Sequence, residues 1–236
     1  MKDTEMNILK AGFRKKIKSF FMKTKVENNK YVKEVCDYLN IGKTEFLDMV
    51  KKCEELKGDF YQKSEAIAYI CSLVYYNRIQ NNRNKSWSQI IKLIKRYSLP
   101  SLLEFGCGTA CLTHYLKEQG CEFKSYAYDI PSKTLGFAKW RLRDTVFLDE
   151  VTEHNRFTIV TCLSVLEHVP LGECGRIVKL LERVTDRCLI INFVKGSGIG
   201  HIRDTQQHFD EFESFLNNHF KKKKVLWCPD IFAYER

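Results

Sequence analysis

The stretch LEFGCGTA, residues 103–110, carries most of the information about the fold of this chain. A short apolar run ends at Gly106, and a glycine-rich turn leads from it into a segment with helical periodicity. Gly106 and Gly108 permit a tight turn and let a ligand approach bare backbone. The stretch therefore predicts a strand, a turn and a helix. Several classes of protein share such a turn, so its meaning depends on the residues that follow.

An acidic residue follows at the spacing that a nucleoside site requires. The run YAYD, residues 126–129, ends the second predicted strand at Asp129, about twenty residues after the turn. A carboxylate in this place can accept hydrogen bonds from both hydroxyls of a ribose. We therefore expect the glycine turn and Asp129 to form one nucleoside pocket.

Beyond residue 99, short β-rich runs alternate with helical segments. The predicted strands cover residues 102–105, 125–130, 146–148, 158–163, 188–193, 225–227 and 232–234. The predicted helices cover residues 109–119, 133–142, 172–184 and 206–218. Alternation of this kind is typical of an α/β fold with helices on both faces of a parallel sheet. A short turn around residues 228–230 makes the last two strands a hairpin. The prediction is a seven-stranded, mostly parallel sheet with a C-terminal antiparallel hairpin.

Ahead of this domain, which we place at residues 99–236, residues 1–98 have helical periodicity and form a helical N-terminal region. Thr44 is the expected N-cap of a helix over residues 45–56. Apolar side chains of the region share helical faces at Tyr31, Val35, Tyr38 and Leu39, and again at Ile67, Ile70, Cys71 and Val74. A helical region rich in tyrosine is one way to cover a small-molecule site. We expect it to act as a lid or as an acceptor-binding element.

Residues 7–25 have the pattern of a basic amphipathic helix. We favour a helix docked on the domain by its apolar face, and a peripheral membrane contact or a nucleic-acid contact stays open. The formal net charge is +10, and residues 1–25 hold eight lysines and arginines against two acids. The remainder is therefore only mildly basic, which weakens a charge-based argument for nucleic-acid binding.

The composition fits a folded, water-soluble protein, with 44% hydrophobic and 29% charged residues. Neither a long apolar run nor a secretory signal stands out. The ten cysteines have irregular spacing, which favours free thiols over a zinc site. We therefore expect a cytoplasmic protein without a structural metal, either free or peripheral to a membrane.

With these motifs in place, residues 101–236 resemble the class I, Rossmann-like S-adenosylmethionine-dependent methyltransferases. The first motif of that family is an acid followed by Gly-x-Gly-x-Gly, and Glu104, Gly106 and Gly108 match it, with Ala110 in place of the third glycine. The segment TCLSVLEHVP, residues 161–170, resembles the fourth-strand motif of the small-molecule branch. The terminal hairpin is also a hallmark of the family.

The resemblance implies S-adenosylmethionine as the cofactor and assigns residues to it. Asp129 would bind the ribose, Ile130 would pack on the adenine, and Asp149 would meet the adenine amine. The full set of cofactor-binding candidates is Glu104, Gly106, Cys107, Gly108, Asp129, Ile130, Asp149, Leu163 and Ser164.

The sulfonium of this cofactor already activates its methyl group, so the protein mainly positions the reactants and excludes water. A general base is needed only where the nucleophile starts out protonated. His168 is the first candidate, and bracing the loop or the methionine end of the cofactor is its other interpretation. His201 and His208 are further catalytic candidates. A metal site among these residues is not favoured, because Ser164 stands where metal-dependent relatives have a glutamate.

The leading hypothesis for function is methyl transfer to an oxygen or nitrogen of a small molecule, such as a sugar, a lipid-linked precursor or a secondary metabolite. The alternative is an RNA methyltransferase that uses the basic N-terminal helices to hold phosphates. A third hypothesis is a non-catalytic, cofactor-binding interaction subunit. The intact Glu104, Gly106, Gly108 and Asp129 argue against a site that has lost its function.

Overall fold

The structure is a computed structural model that describes residues 29–55, 65–79, 84–195, 202–226 and 231–236. The predicted basic helix at residues 7–25 and the turn at 228–230 lie outside the described residues. No helix of the described ranges is long and apolar enough to cross a membrane.

The N-terminal region is helical wherever the structure describes it. Its helices are α1 (Lys30–Leu39), α2 (Lys43–Glu55), α3 (Glu65–Val74) and α4 (Asn84–Ile94), and the π-helical turn Tyr75–Ile79 continues α3. The predicted apolar faces are the packed ones, because Val35, Ile70 and Val74 are fully buried. The helical prediction is confirmed in the described parts, whereas the division of the chain at residue 98 stays a prediction.

Local hydrogen bonds and backbone conformation set the ends of α1 and the start of α2. The Asn29 side chain accepts a hydrogen bond from Tyr31 N at 3.0 Å, and Asn40 closes α1 in the left-handed conformation. Thr44 is not the N-cap of α2, which is a wrong prediction. Phe46 N donates to Gly42 O at 2.9 Å, so the helix already begins at Lys43. Backbone hydrogen bonding, rather than a side-chain cap, decides this start.

The sheet has seven strands in the order β3-β2-β1-β4-β5-β7-β6. They are β1 (Ser101–Phe105), β2 (Lys124–Tyr128), β3 (Val146–Phe147), β4 (Phe157–Cys162), β5 (Thr185–Asn192), β6 (Lys222–Val225) and β7 (Ile231–Glu235). Strands β1 to β5 pair in parallel, and β7 runs antiparallel to both β5 and β6. The predicted α/β fold with a C-terminal hairpin is confirmed.

Helices cover both faces of the sheet. Those that follow β1 are α5 (Cys111–Glu118), α6 (Lys133–Arg141), α7 (Leu171–Val184), α8 (Arg203–Gln207) and α9 (Phe209–His219). Successive β5 side chains point to opposite faces: Ile190 packs with the N-terminal helices and α5, and Ile191 with α7 and α9. Full burial of such a side chain contributes about 1.5–3 kcal/mol. The N-terminal helices thus share a core with one face of the sheet.

Two predicted elements differ from the observed ones. The helix expected at residues 206–218 is two helices, α8 and α9, which meet at His208. The sixth strand lies at Lys222–Val225 rather than at 225–227, so its lysines belong to the strand. All four β6 residues are exposed, because β6 is an edge strand. Lysines on an exposed edge discourage pairing with another sheet, and in a sequence they resemble a loop.

Candidate active site

The glycine turn lies at the carboxyl end of β1 and is fastened to the end of β2. The Tyr128 carbonyl accepts hydrogen bonds from Gly106 N at 2.8 Å and from Cys107 N at 3.0 Å. Gly106 (φ 68°), Gly108 (φ 54°) and Ala110 (φ 48°) all have left-handed backbone conformations. Ala110 keeps the turn that the third glycine would make, as expected, although it adopts a conformation that costs a non-glycine residue about 1–2 kcal/mol.

A side chain at Gly106 would collide with the fourth-strand motif. A Cβ atom built there meets the Val165 side chain far inside van der Waals contact. A glycine is therefore required at position 106 for two reasons: it adopts the left-handed conformation of the turn, and it lets the segment after β4 pack closely against the turn.

Asp129 lies directly after β2 and binds the turn. Its Oδ2 accepts a hydrogen bond from Gly108 N at 2.5 Å, and its Oδ1 accepts one from Ile130 N at 2.7 Å. Burial raises the pKa of Asp129 from its ordinary value, and the two amide hydrogen bonds oppose that rise. Each carboxylate oxygen keeps lone pairs for a ligand, because a carboxylate can accept about four hydrogen bonds.

Glu104 in β1 braces the start of α5. Its Oε2 accepts hydrogen bonds from Thr113 N at 3.0 Å and from Thr113 Oγ1 at 2.6 Å. Burial raises the pKa of Glu104 to about 7, and the hydrogen bonds from Thr113 oppose this rise. A carboxylate is also favoured beside the amino end of a helix. Glu104 lines the cavity and fixes the helix that follows the turn.

One cavity of about 1000 Å³ brings most of the predicted residues together. It is lined by Glu104, Gly106, Cys107, Gly108, Asp129, Ile130, Leu163, Ser164 and His168. Its volume lies at the upper end of the roughly 300–1,000 Å³ that small-molecule sites occupy. The cavity is therefore large enough for a nucleoside cofactor.

The segment after β4 turns sharply at Ser164 into the cavity wall. Ser164 has a left-handed conformation (φ 58°), and its N–H donates to Oδ1 of the buried Asn192 at 2.7 Å. The short 3-10 helix Leu166–His168 follows. His168 is half-buried at the carboxyl edge of the sheet, where α/β proteins bind ligands. His168 therefore lies in the cavity wall just after β4, and its chemical role stays a prediction.

Of the other two catalytic candidates, the structure describes only His208, which does not line the cavity. His201 lies outside the described residues. His208 sits between α8 and α9 with its Nδ1 3.1 Å from Glu211 Oε1, and it is not among the cavity-lining residues. The start of α8 does approach the site, because Ile202 N donates to Glu167 O at 2.7 Å. One residue of the α8 segment thus binds the fourth-strand motif, while His208 points elsewhere.

The acid expected to contact the adenine, Asp149, does not lie at the cavity. Asp149 is exposed and does not line the cavity, whereas its neighbour Glu150 does. The strand β3 ends at Phe147, so no strand geometry determines which of the two acids faces inward. The sequence alone could not distinguish them.

Several lining residues were not predicted at all. The N-terminal helices contribute Leu73, Asn77 and Trp87. Asn77 lies in the π-helical turn, a feature that is frequent at functional sites and has no reliable sequence signal. Among the described ranges, no group of three or more histidine, cysteine, aspartate or glutamate side chains could hold a metal ion.

Comparisons with known proteins find a methyltransferase domain and a shared fold. Residues 76–181 match the model of a family described as a methyltransferase domain. A ubiquinone biosynthesis O-methyltransferase from Dechloromonas aromatica (strain RCB) is 32% identical over 93 residues, 33% of this chain and 39% of that protein. The chain therefore spans well under half the length of this curated relative.

Solved structures share the fold. Magnesium protoporphyrin IX methyltransferase from Synechocystis PCC 6803 with bound S-adenosylhomocysteine is similar with a TM-score of 0.51 and 17% identity, over 86% of this chain and 98% of that one. A small RNA methyltransferase is similar with a TM-score of 0.50 and 20% identity, over 65% of this chain and 25% of that one.

Residues 76–181 match a methyltransferase domain, and the seven-stranded sheet with its antiparallel C-terminal hairpin is consistent with the class I, Rossmann-like fold of methyltransferases that use S-adenosylmethionine. The residues present fit that cofactor: Gly106 and Gly108 line the cavity without side chains, and Asp129 offers a partly buried carboxylate for a ribose.

Proposed function

We propose that this protein transfers the methyl group of S-adenosylmethionine to a hydroxyl oxygen of a small molecule bound in the same cavity. The observation that carries the proposal is that the glycine turn, Asp129 and His168 line one continuous space. The cofactor would supply an activated methyl group. The protein would hold both molecules in line and exclude water.

Under this proposal the residues have three roles: binding the cofactor, supporting the glycine turn and removing the acceptor proton. Gly106, Gly108 and Asp129 bind the nucleoside, and Glu104 holds the helix that follows the turn. His168 removes the proton of the acceptor hydroxyl, since a histidine at the wall of the cavity is a suitable general base. The alternative for His168, bracing the cofactor, makes a different prediction for its alanine variant.

The N-terminal helices would form the wall that shapes the acceptor side. Leu73, Asn77 and Trp87 support this, because all three line the cavity. The Trp87 side chain is almost fully buried, and its Nε1 has no hydrogen-bond partner among the described residues. An oxygen of a bound molecule would satisfy this donor.

A product assay tests the proposal. The full chain is incubated with S-adenosylmethionine and a panel of phenols, catechols, sugars and short oligoribonucleotides, and release of S-adenosylhomocysteine is measured. We expect acceptor-dependent release with at least one hydroxylated small molecule. Release with oligoribonucleotides alone would favour RNA as the acceptor. Cofactor binding without release for any acceptor would favour an interaction subunit.

A further inference from the structure

The side chain of Arg141 reaches from α6 to the cofactor turn. Its Nη2 donates a hydrogen bond to the carbonyl oxygen of Thr109, within the glycine turn. The side chain is only 2% exposed, and its guanidinium lies 5.0 Å from the ring centroid of Phe137. A guanidinium bonded to a carbonyl in such an enclosed place fixes the geometry of both groups.

Arg141 binds the peptide group between Thr109 and Ala110, which lies in the strained part of the turn. Ala110 has a left-handed conformation that disfavours a side chain. On its other side, Ala110 N donates to Cys107 O at 2.7 Å. The hydrogen bond from Arg141 to Thr109 O and this bond from Ala110 N together hold both polar groups of one peptide plane. Arg141 thus supports the turn where alanine replaces glycine.

The charge partner of Arg141 comes from the N-terminal region. Arg141 Nη1 lies 3.8 Å from Oε2 of Glu34, which belongs to α1. The same two helices pack closely through Tyr38, whose ring lies 5.1 Å from the ring of Phe137. The hydroxyl of Tyr38 would also lie 3.0 Å from a Cβ at Gly136. A chain of contacts therefore runs from α1 through Arg141 to the cofactor turn.

We propose that Arg141 is a positioning residue for the cofactor turn and that Glu34 couples the docking of α1 to cofactor affinity through it. Arg141 does not line the cavity and acts through the Thr109 carbonyl. Docked α1 orients the guanidinium, and the oriented guanidinium holds the turn ready for the nucleoside. The inference rests on the proposed use of S-adenosylmethionine.

Calorimetric titration with S-adenosylhomocysteine tests the inference. We expect Arg141→Met to raise the Kd about tenfold, since it removes a hydrogen bond from a charged donor, and Arg141→Lys to recover part of the loss. Glu34→Gln should raise the Kd by a smaller factor, about threefold. Its effect should vanish in the Arg141→Met background, because the two residues act along one path. Arg143→Met, an exposed arginine two residues away, is the matched control.

The outcomes separate this inference from the proposed function. Failure of the wild-type protein to bind S-adenosylhomocysteine would contradict the proposed function. Wild-type binding together with an unchanged Kd in Arg141→Met, Arg141→Lys and Glu34→Gln would overturn the positioning role, even where the melting temperature falls. Should Arg141→Met fail to fold, Arg141→Lys and Glu34→Gln still decide the question.

Discussion

Gly108 and Asp129 are joined by a hydrogen bond of 2.5 Å from the backbone amide to the carboxylate, across 21 residues of sequence. The bond ties the turn after β1 to the end of β2, so the two halves of the proposed nucleoside site form one unit. Asp129 accepts a second bond from Ile130 N, which fixes the orientation of its carboxylate. A ligand would therefore meet a preorganised acceptor, which lowers the entropic cost of binding.

The two glycines Gly106 and Gly120 provide a test of the close approach at the turn. Both have nearly the same left-handed conformation, with φ of 68° and 67°. A Cβ at Gly106 would collide with Val165, whereas a Cβ at Gly120 would meet no atom of the described residues within 4 Å. Gly120→Ala should lower the free energy of unfolding by about 1–2 kcal/mol through backbone strain alone.

Gly106→Ala should cost about 1–3 kcal/mol more than Gly120→Ala, because overpacking adds to the strain. Urea unfolding of both variants measures the difference. Gly106→Ala/Val165→Ala should recover part of the extra loss. Equal losses for the two glycine variants would show that the contact with Val165 carries no energy.

The two acids after β3 can be distinguished by cofactor affinity. Glu150 lines the cavity and Asp149 does not. We expect Glu150→Ala to raise the Kd of S-adenosylhomocysteine about three- to tenfold, as loss of one exposed hydrogen-bond acceptor would do. Asp149→Ala should change it less than about twofold, within the usual range of surface substitutions. The reverse order in a calorimetric titration would restore Asp149 as the adenine-binding acid.

Glu104 makes stability depend on pH. Its pKa is about 7 in the folded protein and the ordinary value is 4.5, so the folded state holds a proton that the unfolded state releases between these values. The stabilising contribution is therefore complete below pH 4.5 and is lost as the pH rises through about 7. Glu104→Gln, which stays neutral, should gain stability relative to the wild-type protein as the pH rises.

Urea unfolding without cofactor at acidic and mildly alkaline pH measures this change. The exposed Glu122→Gln is the control, because its side chain does not leave water on folding. A stability difference between Glu104→Gln and the wild-type protein that is the same at both pH values would exclude the proposed titration.

The two interpretations of His168 can be distinguished with His168→Ala, by measuring both its turnover and its affinity for the cofactor. As a general base, His168→Ala would lower kcat about 10²–10⁴-fold and leave the affinity for S-adenosylhomocysteine nearly unchanged. The wild-type rate would also rise with pH across the range in which imidazoles lose their proton. If His168 instead braces the cofactor, His168→Ala should bind the cofactor more weakly, and its rate should depend on pH as the wild-type rate does. Near-wild-type turnover at every pH would remove His168 from both roles.

The parts of the fold that could be predicted are those that a local sequence pattern determines. The turn at residues 103–110 and the following acid could be identified because glycine spacing and strand periodicity are local signals. The hairpin followed from the short separation of two β-rich runs. The β6 strand was misplaced because exposed lysines on an edge strand lack the alternation of a buried strand.

The unpredictable parts depend on contacts between distant residues. Arg141 reaches Thr109 across 32 residues, and Asn192 holds Ser164 across 28. Nothing in the local sequence marks these partners, because packing of complete elements brings them together. Trp87 reaches the cavity in the same way, through the packing of α4 on α5, where its ring lies 5.2 Å from the ring of Tyr115.

We propose that the glycine turn and Asp129 form one site for the nucleoside of S-adenosylmethionine. Calorimetric titration of the wild-type protein and of Asp129→Ala with S-adenosylhomocysteine tests it most directly, with the exposed Asp186→Ala at the far end of β5 as control. We expect wild-type binding, a loss of about 1.5–3 kcal/mol in Asp129→Ala, and an unchanged control. Absence of wild-type binding, or equal affinity in Asp129→Ala, would show that the turn and Asp129 do not form this site.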